Sequence, residues 1–133
     1  MRTIFLFPHS EDEFPTKEDL KKYLRGPLLK RGGEYRVVRA DRYTGPQRGD
    51  VAIFHRDGQF VGEAQVEVGL QRYDRRRRIG GRTYQGWLTF DPSSVRVYEA
   101  TFKEFKRRTG IKVNPQAIQK INVDGYRAIA GGT

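Results

Sequence analysis

The sequence predicts an α+β domain built on a curved, mainly antiparallel β-sheet with about three helices. Three observations predict this class: a long hairpin at 49–73, roughly six β-forming segments, and helical segments near both ends of the chain. The length of 133 residues suits one domain and is too short for two. We therefore expect a single domain over residues 1–130, with 131–133 as a tail or the start of a linker.

The hairpin at 49–73 is the segment around which the other strands are expected to assemble. Asp57-Gly58 supplies the positive φ angles of a two-residue turn, and β-forming residues alternate on both sides of it. This alternation gives the hairpin one apolar face and one solvated face. The predicted cross-strand pairs are His55 with Phe60, Ile53 with Gly62 and Val51 with Ala64.

Local signals predict the elements around the hairpin. Thr16 and Thr101 each precede an acidic residue three positions later, which is the pattern of a capped helix, and Gly110 ends the second helix. Further strands are predicted at 2–7, 34–40, 84–90 and 94–98.

The C-terminal segment is predicted to contain a short helix followed by a turn. Asn114-Pro115 is a favourable N-cap and N1 pair, so it predicts a helix through Ile121. Asp124-Gly125 predicts a turn after that helix. Tyr126 and Ile129 are then expected to hold the end of the chain against the core.

The charge balance predicts an anionic partner. Lysine and arginine number 26 against 16 acidic residues, which gives a formal net charge of +10 and a pI near 10.1. A domain this basic is typical of proteins that bind nucleic acid. The alternative is a basic surface that serves solubility.

An arginine-rich segment follows the hairpin, and Gly80-Gly81 within it predicts a flexible loop. Guanidinium groups in such a loop suit contact with phosphates or insertion into a groove. The alternative is a solvated loop without a ligand. The predicted phosphate-binding residues are Arg72, Arg75, Arg76, Arg77, Arg78 and Arg82.

Composition excludes several other kinds of site. The chain has no cysteine, which excludes disulfides and cysteine-based metal sites, and its only histidines are His9 and His55. We expect no metal, no cofactor and no catalytic group. No apolar run reaches membrane-spanning length and no signal peptide is visible, so we expect a cytoplasmic protein without a membrane partner.

The order of motifs in roughly the first seventy-five residues is informative. A strand, a polar loop with Ser10-Glu11-Asp12 and a capped helix precede Tyr35-Arg36-Val37, then Gly49-Asp50, then Val61-Gly62-Glu63-Ala64. This order resembles the EVE and YTH branch of the PUA-like superfamily. The resemblance implies a pseudobarrel that holds a flipped, often methylated base in an aromatic cage.

The resemblance also implies which residues form the base-binding pocket. Tyr35 takes the position at which the family usually has a tryptophan after the first helix, and the later cage aromatics have to come from other segments. Trp87 and Tyr35 each have an alternative interpretation as core residues. The candidate pocket residues are Pro8, His9, Ser10, Tyr35, Arg36, Tyr43, Tyr84 and Trp87.

These inferences predict a non-enzymatic module that recognises a methylated base by flipping it, with DNA favoured over RNA as the partner. Such a module would target a separate nuclease or motor in modification-dependent restriction. Three alternatives stay open. They are a reader of methylated adenine in RNA, a small ASCH-like hydrolase that uses His9 with Asp12 or Glu63, and an unspecific basic interaction domain.

Overall fold

The fold combines seven strands with four α-helices and one 3-10 turn (Pro92–Ser94) in the part of the chain that the structure describes. The computed structural model describes residues 2–38, 45–115 and 117–130. The strands are β1 (Ile4–Pro8), β2 (Glu34–Val37), β3 (Val51–Arg56), β4 (Gln59–Ile79), β5 (Arg82–Phe90), β6 (Arg96–Thr101) and β7 (Gln119–Ile121). The helices are α1 (Lys17–Arg25), the single turn α2 (Pro27–Lys30), α3 (Phe102–Thr109) and α4 (Val123–Ala130).

The strands form one curved sheet in the order β2-β5-β4-β3-β1-β7, and β6 adds to the side of β4. Strands β1 and β3 pair in parallel, whereas the other pairs are antiparallel. Within the described residues the path is open, with β2 and β7 at its ends. The predicted α+β class with a curved, mainly antiparallel sheet is therefore confirmed.

The central hairpin turns where predicted, but its register differs beyond the first pair. Asp57 and Gly58 both have positive φ angles, and His55 faces Phe60 as expected. A bulge beside Phe54 then shifts the pairing by one residue, because β4 has one extra residue there. The observed pairs are Phe54 with Gly62, Ile53 with Glu63, Ala52 with Ala64 and Val51 with Gln65, so two predicted pairs are wrong.

Both faces of this hairpin are buried, which corrects the predicted solvated face. One face, with Phe54, packs in a cluster with the α1 leucines Leu20 and Leu24. The other face, with Ile53, packs in a second cluster with Phe105 of α3. Helices therefore lie on opposite sides of the sheet, and the hairpin forms the layer between them.

Glu63 lies on this second face and is only 6% exposed. Its carboxylate accepts hydrogen bonds from the hydroxyls of Tyr98 (3.2 Å) and Tyr126 (2.8 Å). A buried carboxylate requires such partners, so these two bonds replace the water that a solvated face would have supplied.

Asp50 fixes the start of the parallel pair. One carboxylate oxygen accepts from the amide of Thr3 and the other from the amide of Gln47, both at 2.8 Å. The side chain thus joins the entrance of β1 to the segment that leads into β3, which explains an acidic residue directly before the hairpin.

The arginine-rich segment is not the predicted flexible loop. Strand β4 continues to Ile79, Gly80-Gly81 makes a two-residue turn with positive φ angles, and β5 begins at Arg82. We call residues 72–86 the arginine ribbon. Its far end is held by the pairs Arg77 with Tyr84, Arg78 with Thr83 and Ile79 with Arg82.

The capped helices are confirmed, whereas the predicted C-terminal elements are wrong. Thr16 and Thr101 cap α1 and α3, and Gly110 ends α3 in a left-handed conformation. Residues 119–121, predicted as helix, form β7 and cover the edge of β1. Asp124-Gly125, predicted as a turn, lies within α4. Ile129 is buried as expected. None of the helices in the described ranges is long and apolar enough to cross a membrane.

Candidate functional site

Two adjoining cavities open where β1 ends. The large cavity has a volume of about 720 Å³. The small cavity has a volume of about 240 Å³. Both are lined by Glu13, Tyr35, Arg36 and Arg82. The large cavity adds Phe7, Pro8, Val37, Val38, Asn114, Ala117 and Ile118, whereas the small cavity adds Asp12, Phe14, Tyr23, Arg31 and Tyr84.

The sheet brings these separated segments together. Pro8 ends β1, and the loop after it contains Glu13. Tyr35 lies on β2, which pairs with β5 through Leu88. Because β5 extends past the end of β2 to Arg82, the ribbon end reaches the cavities. The site is therefore assembled from separate parts of the chain rather than from one local motif. Segments 7–14, 35–38 and 82–84 contribute most of the lining, and Tyr23, Arg31, Asn114, Ala117 and Ile118 complete it.

Tyr35 forms the wall between the cavities and also belongs to the core. Its ring centroid lies 5.7 Å from that of Phe7 and 5.6 Å from that of Phe90. Its hydroxyl shares a 2.8 Å hydrogen bond with Nε2 of His9. Burial raises the pKa of Tyr35 well above its usual value, so the phenol is neutral. Tyr35 therefore packs against the core and also lines both cavities, while its role in binding a base stays a prediction.

His9 lies behind Tyr35 and lines neither cavity. It is 7% exposed, and its ring packs edge-on against Phe14. Burial, with a smaller contribution from neighbouring His55, lowers the pKa of His9 to about 3. A histidine with this pKa is neutral near pH 7, and its hydrogen bond goes to a phenol rather than to Asp12 or Glu63. The histidine–carboxylate pair that a hydrolase would use is not formed.

Opposite charges meet at the wall that the two cavities share, which is formed by Glu13, Tyr35, Arg36 and Arg82. Arg82 lies 3.9 Å from the carboxylate of Glu13, and Arg36 lies 3.6 Å from that of Glu34. Both ion pairs are partly exposed, so each is weak and a ligand is able to compete for either partner. The shared wall therefore offers hydrogen-bond donors and one acceptor beside an aromatic ring.

Sequence reasoning did not assign several lining residues to the site. Tyr23 shares a helical stripe with Leu20 and Leu24, so the pattern assigns it to the core alone. In the structure its hydroxyl accepts a 3.2 Å hydrogen bond from Arg31. Glu13 lies in the loop before α1, and Arg31 directly follows the single-turn helix α2. Neither segment has a periodic pattern that would indicate a site.

The remaining candidate pocket residues are placed differently. Ser10 is exposed, and its hydroxyl oxygen accepts from the amide of Glu13. Trp87 is half-buried and lies on the face of β5 opposite to Leu88 and Phe90, because alternate residues of a strand point to opposite faces. Neither residue lines a cavity. Tyr84 lines the small cavity, and Tyr43 lies outside the described residues.

The tip of the arginine ribbon lies at the cavities, since Arg82 lines both of them and Tyr84 lines the small one. Arg72 and Arg75 to Arg78 are exposed, and no carboxylate of the described residues lies within ion-pair distance of them. The guanidinium of Arg77 stacks 4.5 Å from the ring centroid of Tyr73, and Arg77 faces Tyr84 across the ribbon. The ribbon thus presents unpaired cations on a fixed backbone next to the cavities.

Among the described residues, no group of three or more histidine, cysteine, aspartate or glutamate side chains is placed to hold a metal ion.

This architecture is the YTH-like fold, which confirms that part of the predicted resemblance. The chain is similar to the crystal structure of the YTH domain of Zygosaccharomyces rouxii MRB1 protein in complex with N6-methyladenosine RNA. The TM-score is 0.61 at 17% sequence identity, and the match covers 98% of this chain and 85% of that chain. At this identity the likeness concerns the fold. No family model matches the chain, and no curated protein matches it.

Proposed function

We propose that this chain is a nucleic-acid-binding module that takes one methylated base into the large cavity. The observation that carries the proposal is the large cavity itself, in which an aromatic ring, guanidinium groups and a carboxylate meet beside a ribbon of unpaired arginines. The YTH-like fold supports the same function, since the similar YTH domain was solved with N6-methyladenosine RNA.

The large cavity has the chemistry that a base requires. Its volume of about 720 Å³ lies in the range of small-molecule sites. Tyr35 provides a stacking surface, while Pro8 and Val38 provide an apolar wall for a methyl group. The Glu13 carboxylate accepts from a ring or exocyclic N–H, and the Arg36 guanidinium donates to a ring acceptor.

Energetics assign different tasks to the cavity and the ribbon. Flipping a base costs a few kcal/mol, and stacking returns about 1–3 kcal/mol per base. Burying one methyl contributes about 0.8 kcal/mol, which is roughly a fourfold preference. The cavity therefore selects the ligand, whereas phosphate contacts by the arginine ribbon supply most of the affinity.

The ligand that we propose is RNA carrying N6-methyladenosine. The sequence alone favoured methylated DNA and a role in restriction, but no feature of the described site selects deoxyribose over ribose. The ligand of the similar YTH domain is RNA. DNA carrying the same methylated base is the direct comparison, and the role in restriction stays a prediction.

A binding panel with a matched pair of variants tests the proposal. Single-stranded RNA and DNA oligonucleotides with and without one central N6-methyladenine are titrated against the protein. We expect tightest binding to methylated RNA. Equal affinity for methylated and unmethylated strands of both kinds would contradict the proposal.

Val38 and Val68 make the matched pair, because they are 41% and 40% exposed and only Val38 lines the large cavity. Val38→Ser is expected to reduce the preference for the methylated strand several-fold by removing an apolar contact. Val68→Ser is expected to leave it unchanged. If both variants lost the preference for the methylated strand to the same extent, the methyl group would not lie against Val38 in the large cavity.

A further inference from the structure

The small cavity differs from the large one in having three guanidinium groups in its lining rather than two. Three guanidinium groups line it, from Arg31, Arg36 and Arg82, together with the side chains of Tyr23 and Tyr84. Two carboxylates, from Asp12 and Glu13, also line it. Its volume of about 240 Å³ suits a small group rather than a whole nucleoside.

Arg31 is held in position before any ligand arrives. Its Nη2 donates to the Tyr23 hydroxyl at 3.2 Å, and its guanidinium lies 5.5 Å from the centroid of the same ring. Within the described part of the chain, no carboxylate lies within ion-pair distance of Arg31. Its charge is therefore fixed at the cavity but not neutralised there.

The other two arginines are held loosely enough to change partners. The Arg36–Glu34 and Arg82–Glu13 separations, 3.6 and 3.9 Å, exceed the about 2.7–2.9 Å of a charge-assisted hydrogen bond. An anion in the cavity gains such bonds from these guanidinium groups without breaking a tight pair.

The pKa of the Tyr23 hydroxyl is affected by the same arginine charges. Burial raises the pKa of its hydroxyl, and the nearby charges of Arg31 and Arg36 oppose that shift without cancelling it. The hydroxyl therefore stays protonated and adds a polar O–H group to the guanidinium donors around the cavity.

We infer that the small cavity binds a backbone phosphate adjacent to the base that occupies the large cavity. Phosphate is the ligand for which planar guanidinium donors are best matched. Because the two cavities share four lining residues, a base and a neighbouring phosphate of one strand are able to occupy them together. This inference rests on the proposed function and specifies how the strand is held.

The test compares Arg31→Gln with Arg25→Gln. Arg25 is an exposed arginine in the last turn of α1 that lines neither cavity, so its loss is a matched control for charge. For methylated single-stranded RNA, Arg31→Gln is expected to weaken binding about tenfold. It is also expected to reduce the log–log salt slope by about 0.7. Arg25→Gln is expected to stay within about twofold of wild type; equal effects of the two variants would overturn the inference.

The chemical source of the phosphate is tested with the RNA itself. On an RNA in which neutral methylphosphonates flank the methylated base, we expect wild type and Arg31→Gln to bind equally. If Arg31→Gln weakened binding to this RNA as much as it weakens binding to the unmodified backbone, the inference would be overturned. Dependence on Arg31 that appears only when a 5′-terminal phosphate is added would overturn the assignment to the backbone.

A measurement without nucleic acid separates this inference from the proposed function. Inorganic phosphate is expected to raise the Tm of wild type more than sodium chloride of equal ionic strength does, and to lose that advantage in Arg31→Gln. Equal responses of the two proteins would overturn the phosphate site. Absence of any preference for methylated RNA, with this phosphate response intact, would instead overturn the proposed function.

Folding is controlled with a second variant, Tyr23→Phe, which keeps the ring but removes the hydroxyl that holds Arg31. We expect it to weaken binding to methylated RNA several-fold while its Tm without phosphate stays near that of wild type. An unchanged affinity would show that Arg31 does not need this position, and would contradict the inferred site.

Discussion

The two halves of β4 have opposite surroundings although they belong to one continuous strand. Residues 60–66 are buried except for the half-buried Gln65, and they pack between helices on both sides of the sheet. Residues 71–78 are exposed except for the half-buried Tyr73. Residues 60–65 of the first half pair with β3 and β6, and Val66 begins the pairing with β5. The second half pairs with β5 alone.

This difference separates stability from binding along the chain. Burial of apolar area stabilises the first half, where a lost side chain leaves a cavity. The second half contributes little burial, so its arginines are free to be selected for charge. Substitutions in the two halves are expected to change different measurements.

The largest effect on stability is expected from Phe60→Ala in the buried half. Phe60 is 0% exposed, and its ring packs against Phe102 and Phe105 at 4.8 and 5.3 Å between centroids. Truncation is expected to lower the free energy of unfolding by about 3–5 kcal/mol. Urea denaturation measures the loss.

Arg76→Ala in the exposed half is the control on the same strand. It is expected to change the free energy of unfolding by no more than about 0.5 kcal/mol. A large loss in this variant would mean that the ribbon contributes to the folding core, and the comparison of the two halves would then fail.

The next effect is a loss of stability in acid, caused by the buried histidines His9 and His55. Burial lowers the pKa of His55, which packs against Phe60 and Phe102, to about 4. Burial, His55 and Arg82 lower the pKa of His9 to about 3. Since both values lie below the usual 6.5, the unfolded chain binds more protons, and stability falls as pH drops below 6.5.

The expected slope is about 1.4 kcal/mol per pH unit for each histidine between pH 6.5 and its folded value. Urea denaturation over this range measures it. His55→Phe is expected to remove one of the two contributions. A slope that is the same in wild type and in this variant would show that His55 does not titrate as its burial requires.

A smaller effect, on binding rather than on stability, is expected from the ribbon. Replacing Arg75 to Arg78 with serine is expected to lower the affinity for methylated and unmethylated nucleic acids by the same factor. If three or four of these residues contact phosphate, the log–log salt slope flattens by about 3 to 4 on duplex DNA. On a single strand the change is about 2 to 3. Fluorescence anisotropy at several salt concentrations measures the slope, and an unchanged slope would leave the ribbon as a solvated structure.

The smallest effect is expected from Trp87→Ala. Trp87 lies on the face of β5 away from the core cluster and outside both cavities, so affinity for methylated RNA is expected to stay within about twofold of wild type. Thermal melts must accompany the titration, because a half-buried ring still contributes to packing. Loss of the preference for the methylated base, with folding intact, would return Trp87 to the binding site.

Local features of the sequence were sufficient to predict the elements that depend on neighbouring residues. The turn at Asp57-Gly58 and the caps at Thr16 and Thr101 are set by backbone conformation and by hydrogen bonds within three residues. The bulge beside Phe54 was not predictable, because it depends on how both faces of the hairpin pack against distant helices. For the same reason, Asn114-Pro115 gave the wrong prediction for residues that pair with β1.

The candidate site shows the same division. Pro8, Tyr35, Arg36, Tyr84 and Arg82 were predicted and line one or both cavities, although their role in binding stays a prediction. Trp87 alternates with Leu88 and Phe90 along β5, so it points to the opposite face of the strand. This alternation assigns Trp87 to the outer face only once the structure shows that Leu88 and Phe90 face the core. Arg31 was not predicted, because only the tertiary structure brings it to Tyr23.

The position of β1 within the sheet has a consequence for the order of folding. Ile4 pairs with Val51 on one side and with Ile121 on the other, so this strand lies between segments made at very different times during synthesis. Asp50 is able to bind the amide of Thr3 once β3 has left the ribosome. The opposite edge of β1 stays unpaired until residues 119–121 follow, several seconds later at about 5–20 residues per second. Completion of the sheet is thus a late event that joins the two ends of the fold, and such long-range pairing predicts slow folding.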